Sequence, residues 1–427
     1  MTITDRLVDL ALTEPDDIPE RARAVMGLSL IDWMGCAIAG RHEPVAQVVR
    51  RLATDEGGAP QAHLAGGGQA PARMAALVNG TVSHALDYDD THFAHIGHPS
   101  VAVVPCALAM AERVGADGAA FQDAALIGAE LSVRVGLWLG RGHYQLGFHQ
   151  TATAGAFGAA AAAGRLMGFN ASKMAAVMGL VATRASGLKA QFGTMGKPFN
   201  AGIAASNGVE AALLVANGLV PNPSALEDFG ATHSGSNIKD AVNHIDSDWV
   251  FSDVSHKYHA CCHGLHAALE AFGAVEDPHL NVARIAVHTH PRWLSVCNQP
   301  DPDTGLGCKF SYRAVLAMAM AGHDTSRLET FSDGLATEPA LVGMRDRVEV
   351  IGDEQVSETG TRLVLQMNDG SERQVEHDLL TPLPFETRRA KIMAKASALM
   401  GEERAARVAR HVEEQADPSG LARELAG

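Results

Sequence analysis

Apolar side chains recur at helical spacing through most of residues 1–255. Positions i, i+3 and i+4 are hydrophobic in a series of segments, which is the pattern of helices with one buried face. The segments are ERARAVMGLSLIDWMGCAIAG, ARMAALVNGTVSHAL, SVAVVPCALAMAERVGADG, QTATAGAFGAAAAAGRLMGF, SKMAAVMGLVATRASGL and AGIAASNGVEAALLVANGL. Their many glycines lower helix propensity, but small residues let helix backbones approach closely. The pattern therefore predicts a tightly packed, buried helical bundle.

Beyond residue 280 the pattern changes to that of strands. RIAVHTH and DRVEVIG are β-branched or alternating, and RLVLQMNDGSERQVEHD predicts a hairpin around an Asn-Asp-Gly turn. The last segment, from FETRRAKIM onwards, returns to charged amphipathic helix. We therefore predict a mainly α fold, with an all-helical domain of residues 1–255 and 385–427 and a smaller α+β domain of residues 256–384.

The overall charge argues against a nucleic-acid surface. The 427 residues include 34 Lys and Arg against 49 Asp and Glu, a net charge of -15, and we find no clustered basic run. The first residues lack a charged-then-apolar leader, and no later segment supplies about eighteen strongly apolar residues. The sequence thus predicts a soluble, cytoplasmic protein with no membrane partner.

The six cysteines follow no metal or disulfide pattern. They are sparse for this chain length and lack Cys-x-x-Cys spacing, which argues against a disulfide scaffold, a zinc ribbon or a four-cysteine cluster. They are Cys36, Cys106, Cys261, Cys262, Cys297 and Cys308. We expect reduced thiols.

The densest chemistry lies between two predicted helices, where three Asp and four His fall within residues 84–98. The helix over 72–86 should end near Asp87, and a new helix should begin near Ser100 after Pro99. His98 would then lie beside the positive end of a helix dipole, which disfavours the imidazolium. A neutral imidazole there is suited to be a general base.

The same segment has two alternative interpretations. A metal site would use Asp87, Asp89, His92, His95 and His98. However, Gly97 and Pro99 indicate a loop, where the i+3 spacing of the three His carries little meaning. The other alternative is a solvated or capping loop. Loop residues often carry function, and proton transfer is the interpretation that we favour.

Two later helix starts carry further candidates. His149, in RGHYQLGFHQTATAGAFG, precedes a helix and taken alone is more often structural than catalytic. Lys197, in QFGTMGKPFNAG, lies in a turn before an Ala-rich helix, where a Lys and free backbone N–H groups can hold an anion. A plain surface Lys is an equal alternative on this pattern.

The segment SHKYHACCHGLHAALEA contains Lys257, Cys262 and His263 ahead of an apolar helix. Adjacent cysteines do not chelate one metal comfortably, so zinc is disfavoured. A Cys nucleophile beside a His is an alternative, although vicinal cysteines near a helix are more often packing residues. The remaining interpretation of this segment is a cationic patch that bears imidazoles.

These stretches, in this order, resemble the MmgE/PrpD family, which includes 2-methylcitrate dehydratases, cis-aconitate decarboxylases and iminodisuccinate epimerases. The motifs are DWMGCAIAG, HALDYDD followed by HPS and VVP, FHQTAT, GTMGKP with NGVEAALL, KYHACC, and KFSYRAVLAMAMAG. The resemblance implies a large all-helical domain with a smaller α+β lid and a homodimer. It also implies a small carboxylate substrate and a site that works without metal or organic cofactor.

The resemblance also implies the site residues and their roles. The residues that match family motifs are Asp87, Thr91, His98, His149, Lys197 and Lys257. Family reactions move a proton or CO2 beside a carboxylate, which requires an anion clamp and an acid/base pair. Lys197 and Lys257 would be the clamp, with Thr91, Asn200 and Cys262 as further substrate-binding positions. His98 would be the base, with Asp87 orienting it or sharing its proton, and His149 or His263 the acid.

The chain departs from the family pattern at several of these positions. The gap from Thr91 to His98 is one residue longer than in the decarboxylases and resembles the epimerase-like branch. Cys262 stands where decarboxylases have a His, and their site Tyr falls on Ala314, with Tyr312 facing elsewhere. Asn200 replaces the usual His after KP, and Ser206 replaces a common Arg.

The loss of the Tyr makes decarboxylation the least favoured of the family reactions. We therefore expect a cofactor-independent lyase or isomerase that acts on a small di- or tricarboxylate, with 2-methylcitrate-dehydratase-like dehydration first. An epimerase or a decarboxylase is the alternative within the family. A metal-dependent hydrolase and a non-catalytic carboxylate-binding relative are alternatives of other classes.

Overall fold

The computed structural model describes residues 2–233, 239–243, 245, 249–275 and 282–427. The chain forms two compact units, which are Met1–His256 with Leu399–Gly427 and Lys257–Ala398. The first is helical and the second combines helices with a sheet. The predicted mainly α fold is confirmed.

The first unit is a bundle with its most buried helices at the centre. Its helices before the second unit are α1 (Ile3–Ala11), α2 (Glu20–Gly40), α3 (Pro44–Glu56), α4 (Ala72–Ser83), α5 (Ser100–Val114), α6 (Gly118–Gln145), α7 (Gln150–Leu166), α8 (Ala171–Ala182), α9 (Gly196–Ala216) and α10 (Ala225–His233). A short two-stranded ribbon, β1 (Ala62–His63) and β2 (Gln69–Ala70), interrupts them. α7 is buried from Gln150 to Gly164 and packs against α5, α6 and α9.

Glycines allow the central helices to cross closely. A Cβ at Gly158 of α7 would lie 2.3 Å from the carbonyl oxygen of Gly128 in α6. A Cβ at Gly202 of α9 would likewise lie 2.3 Å from the carbonyl oxygen of Leu77 in α4. Since any side chain at these positions would overlap backbone atoms, the helices can pack this tightly only with glycine there. This is the close packing that the Ala- and Gly-rich segments predict.

Among the described residues, two helices are long and apolar enough to span a membrane by length and composition, namely α2 and α9. The sequence pattern predicts no such segment, because the hydropathy of these helices is spread over many Ala and Gly rather than concentrated in large apolar residues. Most of the apolar stretch of each helix is buried inside the first unit. Core helices of folded proteins meet the same criterion, so these two helices are weak evidence for a membrane segment.

The second unit is built around a four-stranded sheet. Its elements are α11 (His266–Gly273), β3 (Val282–Thr289), α12 (Gly305–Cys308), α13 (Tyr312–Met320), α14 (Asp333–Ala336), α15 (Pro339–Arg345), β4 (Val348–Gly352), β5 (Gly360–Met367), β6 (Glu372–Asp378) and α16 (Phe385–Met400). The strand order is β4-β3-β5-β6, in which β3 and β4 are parallel and the other pairs antiparallel. The predicted hairpin is present, with Gly370 at φ +84° in its turn.

The return to the first unit comes later than the sequence pattern suggested. α16 belongs almost entirely to the second unit, where Lys391 forms an ion pair with Glu270 (2.6 Å) and lies over the ring of Tyr258. The returning segment therefore begins at Leu399 rather than at residue 385. It contains α17 (Glu402–Glu413) and α18 (Pro418–Ala426).

Candidate active site

The segment rich in Asp and His forms an irregular connection between α4 and α5. α4 ends at Ser83, a few residues before the predicted end near Asp87, and α5 begins at Ser100 as predicted. The carboxylate of Asp90 accepts hydrogen bonds from the backbone N–H (3.3 Å) and the hydroxyl (2.5 Å) of Ser100. Because the first N–H groups of a helix have no partner within it, Asp90 ties the connection to the start of α5.

The carboxylate of Asp89 lies between two imidazoles. Oδ1 is 2.9 Å from Nδ1 of His84, and Oδ2 is 2.7 Å from Nδ1 of His98. The two rings meet edge to face, with centroids 4.6 Å apart. Burial alone would raise the pKa of Asp89, but the charges and hydrogen bonds of His84 and His98 hold that pKa well below its usual range. Asp89 is therefore a buried carboxylate that stays ionised and orients both rings.

The other ring nitrogen of His98 faces a second carboxylate. Nε2 is 3.4 Å from Oδ1 of Asp87, whose Oδ2 is 2.6 Å from Nζ of Lys197. Asp87 thus bridges the imidazole and the ammonium. Its side chain is 41% exposed, whereas that of His98 is 10% exposed, so this bridge is the open side of the cluster. Asp87 has a left-handed backbone (φ +51°), which Asp tolerates better than most residues.

The backbone of His98 is fixed by the helix that follows His149. The N–H of His98 donates to Oγ1 of Thr151, at 3.0 Å, and Thr151 is fully buried in the first turn of α7. His98 also stands just before Pro99 and the start of α5, as the sequence predicted. Two helix N-termini therefore hold one imidazole in place.

The ring of His149 stacks on that of His84, with ring centroids 6.0 Å apart and 24° between the ring planes. Burial, followed by the charges of His84 and Lys197, lowers the pKa of His149 well below its usual range. The ring is therefore neutral at pH 7, and a role as an imidazolium acid is disfavoured. A neutral imidazole can still donate one hydrogen bond and accept another.

Asn200 sets the orientation of that neutral ring. Its Nδ2 is 3.2 Å from Nδ1 of His149 and also donates to the carbonyl oxygen of Leu188 (3.3 Å). Because an amide nitrogen only donates, Nδ1 of His149 must be the acceptor and its proton must lie on Nε2. The family resemblance implies a substrate-binding role for Asn200, whereas its amide nitrogen is engaged with His149 and with the backbone.

Thr91 and the remaining two histidines are held by the backbone around the connection. Thr91 and Ser255 exchange two backbone hydrogen bonds, of 2.8 and 2.7 Å, and the side chain of Thr91 is partly exposed. Nε2 of His92 donates to the carbonyl oxygen of Val250 (2.9 Å). His95 is fully buried, and a Cβ at Gly136 would lie 1.8 Å from its Nδ1. Loop structure therefore explains His92. His95 is packed against Gly136, and neither of its ring nitrogens has a hydrogen-bond partner among the described residues.

A group of potential metal ligands does exist among the described residues, but its composition differs from the predicted set. His84, Asp87, Asp89 and His98 offer ligand atoms that all lie within 4.8 Å of one another. His84 takes the place that the sequence interpretation gave to His92 and His95. These four side chains pair with one another, and the ammonium of Lys197 lies at Asp87. The ammonium of Lys197 therefore supplies a positive charge beside these four side chains.

The other predicted site residues belong to the second unit. Lys257 and His263 are buried, and Cys262 is partly exposed. The ring of His263 packs edge to face on that of His266, with centroids 4.7 Å apart. Their assignment to a substrate site stays a prediction.

The positions that depart from the decarboxylase pattern have defined surroundings in the structure. Ala314 is fully buried in α13. The hydroxyl of Tyr312 donates to the carbonyl oxygen of Gly264 (2.8 Å) and contacts the hydroxyl of Thr289 (2.8 Å). That phenol is thus engaged inside the second unit. In the first unit, Ser206 is buried in α9.

Sequence reasoning missed His84 and gave Asp89 only a metal-binding alternative. Both residues fall within HALDYDD, so the motif itself carried the signal, but Asp87 was chosen as the orienting carboxylate. The structure gives that position to Asp89, which contacts Nδ1 of His98, and leaves Asp87 at Nε2. Thr151, in the first turn of α7, holds the backbone of His98.

Two models of one family match the chain. The model of the MmgE/PrpD N-terminal domain matches residues 10–234, and that of the MmgE/PrpD C-terminal domain matches residues 259–417. A cis-aconitate decarboxylase-like protein of Aspergillus oryzae is 25% identical over 100% of both chains. The cis-aconitate decarboxylase of Aspergillus terreus is 26% identical over 91% of this chain and 87% of that protein. Human cis-aconitate decarboxylase is 30% identical over 51% of this chain and 47% of that protein. Since the two domain models together span most of the sequence, the chain belongs to the MmgE/PrpD family.

Proposed function

We propose that this protein is a lyase that removes a proton next to a carboxylate of a small di- or tricarboxylate, without a metal or an organic cofactor. Membership of the MmgE/PrpD family supports an enzyme of the lyase type. One observation carries the proposal. His98 has a buried carboxylate at Nδ1 and, at Nε2, a carboxylate that is paired with the ammonium of Lys197.

His98 is the proposed base. Nε2 takes the proton from the substrate carbon, and the resulting imidazolium is stabilised by Asp89 at Nδ1, which lies 2.7 Å away. A carboxylate behind an imidazole fixes its orientation and stabilises its charged form. Asp87, 3.4 Å from Nε2, can take the proton from His98 or return it to the substrate. This arrangement supports reversible proton traffic at one carbon atom.

Lys197 is the proposed anion-binding group. Asp87 shows that one carboxylate can span the ammonium of Lys197 and the imidazole of His98. A substrate carboxylate that approached from the exposed side of Asp87 would meet the same two groups. Its negative charge, and that of the enolate formed after proton removal, would be stabilised by the ammonium. One donor directed at such a charge contributes about 3 kcal/mol.

His149 is proposed as a neutral hydrogen-bond donor through Nε2–H. Asn200 holds Nδ1, and the ring of Phe192 packs edge to face on His149 with centroids 4.9 Å apart. The same Phe192 ring lies 5.3 Å from Nζ of Lys197. His149 can then hydrogen-bond a leaving hydroxyl or an enolate oxygen. Lys257, Cys262, His263 and Thr91 stay predicted substrate-binding or acid/base residues.

Dehydration is the reaction that we place first, and decarboxylation is the second candidate. The relatives named as cis-aconitate decarboxylases favour a tricarboxylate substrate and support decarboxylation as the second candidate reaction. Against it stands Ala314 at the position of the decarboxylase Tyr, while the hydroxyl of the nearby Tyr312 is engaged with Gly264. Epimerisation needs a base on each face of the carbon. His98 is the candidate for one face, whereas the assigned tautomer of His149 makes that ring a donor. The predicted homodimer and cytoplasmic location stay predictions.

Product analysis distinguishes these reactions. Purified protein, treated with a chelator, is incubated with citrate, 2-methylcitrate, cis-aconitate, malate, tartrate and iminodisuccinate. NMR and mass spectrometry of the products then show loss of water, loss of CO2 or inversion. We expect turnover of at least one tri- or dicarboxylate and its loss in His98→Asn. Activity that appears only after a divalent metal is added would support the metal-dependent hydrolase, and binding without turnover would support the non-catalytic relative.

A further inference from the structure

Two thiols of the second unit lie in contact. Sγ of Cys297 is 3.2 Å from Sγ of Cys262, and neither residue forms a disulfide. Cys297 is fully buried, whereas Cys262 is partly exposed. The two residues are 35 positions apart in the chain, so their contact is a product of the fold. One cysteine is thus partly exposed as a residue, and the thiol of the buried cysteine contacts its sulfur atom.

The backbone holds both cysteines in this position. The N–H of Cys262 donates to the carbonyl oxygen of Lys309 (2.9 Å), and the N–H of Cys297 donates to that of Trp293 (2.7 Å). The carbonyl oxygen of Cys297 in turn accepts from the N–H of Tyr312 (3.1 Å). Since Lys309 and Tyr312 are close in sequence, the same short stretch of chain anchors both thiols.

The direction of the thiol contact assigns different roles to the two sulfur atoms. Cys297 is the donor and Cys262 the acceptor. The hydrogen bond with Cys262 and burial both raise the pKa of Cys297 well above its usual range. Cys297 therefore keeps its proton at neutral pH, while Cys262 is the sulfur that a solvent-borne oxidant reaches. This is the arrangement of an attacking cysteine backed by a resolving one.

We propose that Cys262 and Cys297 form a modification site for low-molecular-weight disulfides, of the class of oxidised glutathione. The thiolate of Cys262 attacks one sulfur of the disulfide, forms a mixed disulfide and releases one thiol. Cys297 then loses its proton and attacks Sγ of Cys262, which forms the Cys262–Cys297 bond and releases the second thiol. The protein is oxidised by two electrons, and the small disulfide is reduced to two thiols.

The geometry favours closure of this bond. An S–S bond is about 2.0 Å long, so the two sulfur atoms must approach each other by roughly 1 Å from their present contact. Side-chain rotation about Cα–Cβ supplies such a movement without displacing the anchored backbone. Cys261 is a poorer partner, because it is adjacent in sequence to Cys262.

One consequence rests on the proposed function. Cys262 stands where the decarboxylases of the family have a His, and it is among the predicted substrate-binding residues. Oxidation would replace a thiol at that position by a bond to Cys297. We therefore expect the oxidised enzyme to turn over its substrate more slowly and to recover on reduction.

The modification itself is tested without any activity assay. The full-length protein is reduced, freed of reductant and incubated with oxidised glutathione, and its peptides are mapped by mass spectrometry under non-reducing conditions. We expect a peptide pair joined through Cys262 and Cys297, with the loss of two hydrogens. Cys297→Ser should stop at a glutathione adduct on Cys262, and Cys262→Ser should leave Cys297 unmodified. Cys308→Ser, which alters a buried thiol outside the pair, should oxidise like the unaltered chain.

The proposal is overturned if the unaltered chain keeps both thiols under these conditions, or if Cys262 bonds to Cys261 instead. Since this result is read on the unaltered chain, a folding defect in a variant does not affect it, and Cys297→Ala provides a second test of the resolving role. If the Cys262–Cys297 bond forms in a protein that turns over no carboxylate, the dithiol site is supported and the proposed lyase function is rejected.

Discussion

Asp89 holds its carboxylate 2.7 Å from Nδ1 of His98, at 1% exposure of its own side chain. A second imidazole, that of His84, occupies the other oxygen of the same carboxylate at 2.9 Å. His98 therefore has a fixed ring orientation and a buried negative charge behind it, while its Nε2 faces the open side at Asp87. The arrangement makes Asp89 the group on which the basicity and the direction of His98 depend.

Replacing that carboxylate should reduce turnover strongly. Asp89→Asn keeps the size of the side chain but removes the charge and offers Nδ1 of His98 a donor or a neutral acceptor. We expect kcat to fall by about a hundredfold or more, since loss of the carboxylate behind a catalytic imidazole has effects of this order or larger. Steady-state kinetics on the substrate found by product analysis gives the measurement. Asp55→Asn, at an exposed Asp of α3, serves as the matched control and should retain full activity.

Asp87 should behave differently from Asp89. Its carboxylate is partly exposed and pairs with Lys197, so Asp87→Asn frees the ammonium for the substrate but removes the group that shares a proton with His98. We expect kcat to fall by roughly tenfold, within the range of general acid–base effects, while KM stays the same or decreases. A KM that rises many-fold with kcat unchanged would contradict this assignment and make Asp87 a substrate-binding residue.

His84 should contribute to stability as well as to catalysis. His84→Ala removes one of the two imidazoles that neutralise Asp89, which is fully buried, and leaves one carboxylate oxygen without that partner. We expect the free energy of unfolding to fall by about 1–3 kcal/mol, the range for a buried polar group that loses its partner. Urea titration monitored by circular dichroism provides the value. An unchanged midpoint would mean that Asp89 does not depend on His84.

Asn200 should determine which nitrogen of His149 carries the proton. The proton is expected on Nε2, because Nδ1 accepts from the amide of Asn200 at 3.2 Å. Two-dimensional NMR of protein labelled with 15N-histidine distinguishes the two tautomers by their nitrogen shifts. In Asn200→Ala we expect a mixture of tautomers and a roughly tenfold lower kcat, because the donor on Nε2 is no longer fixed. A proton on Nδ1 in the unaltered protein would refute the role given to His149.

Asp90 gives the stability of the first unit a pH dependence of definite sign. Burial, opposed by the hydrogen bond from Ser100 and assisted by the charges of Asp32 and Asp89, raises the pKa of Asp90 to about 7. The folded state therefore binds this proton more tightly than the unfolded state. The stabilisation that the proton on Asp90 contributes is full below about pH 4 and is lost as pH rises through about 7. At 1.36 kcal/mol per unit the loss is on the order of a few kcal/mol.

Asp90→Asn tests this expectation. The amide keeps an acceptor for the backbone N–H of Ser100 but cannot ionise, so the stability gained relative to the unaltered chain should grow between pH 4 and pH 7 and then level off. Denaturant titrations at a series of pH values measure the difference. A difference that is independent of pH would mean that Asp90 does not carry its proton in the folded state near neutral pH.

Local sequence signals were sufficient for several elements of the fold. The start of α5 at Ser100 follows from Pro99 and the apolar run after it, and the hairpin follows from its Asn-Asp-Gly turn. Each depends on residues adjacent in the chain, so one sequence is enough to find it. The family motifs added His98, Asp87 and Lys197, which do lie together.

The contacts inside the site could not be predicted in the same way. The connection between α4 and α5 contains two residues other than glycine with left-handed backbones, Asp87 and Ile96, and such residues change the direction of the chain within one step. Side-chain spacing along it therefore does not reveal that Asp89 reaches His98 while His95 is buried against Gly136. The bond between Asn200 and His149 joins residues 51 positions apart, which only tertiary packing establishes.

The most direct test of metal-free proton transfer by His98 follows hydrogen exchange at carbon. Chelator-treated protein in D2O is incubated with each carboxylate of the panel, and one-dimensional proton NMR detects deuterium that enters next to a carboxylate group. We expect exchange on at least one substrate without added metal. Its rate should fall by about a hundredfold or more in His98→Asn and stay unchanged in Asp55→Asn. An equal rate in His98→Asn, or exchange that appears only after a divalent metal is restored, would contradict a metal-free proton transfer by His98.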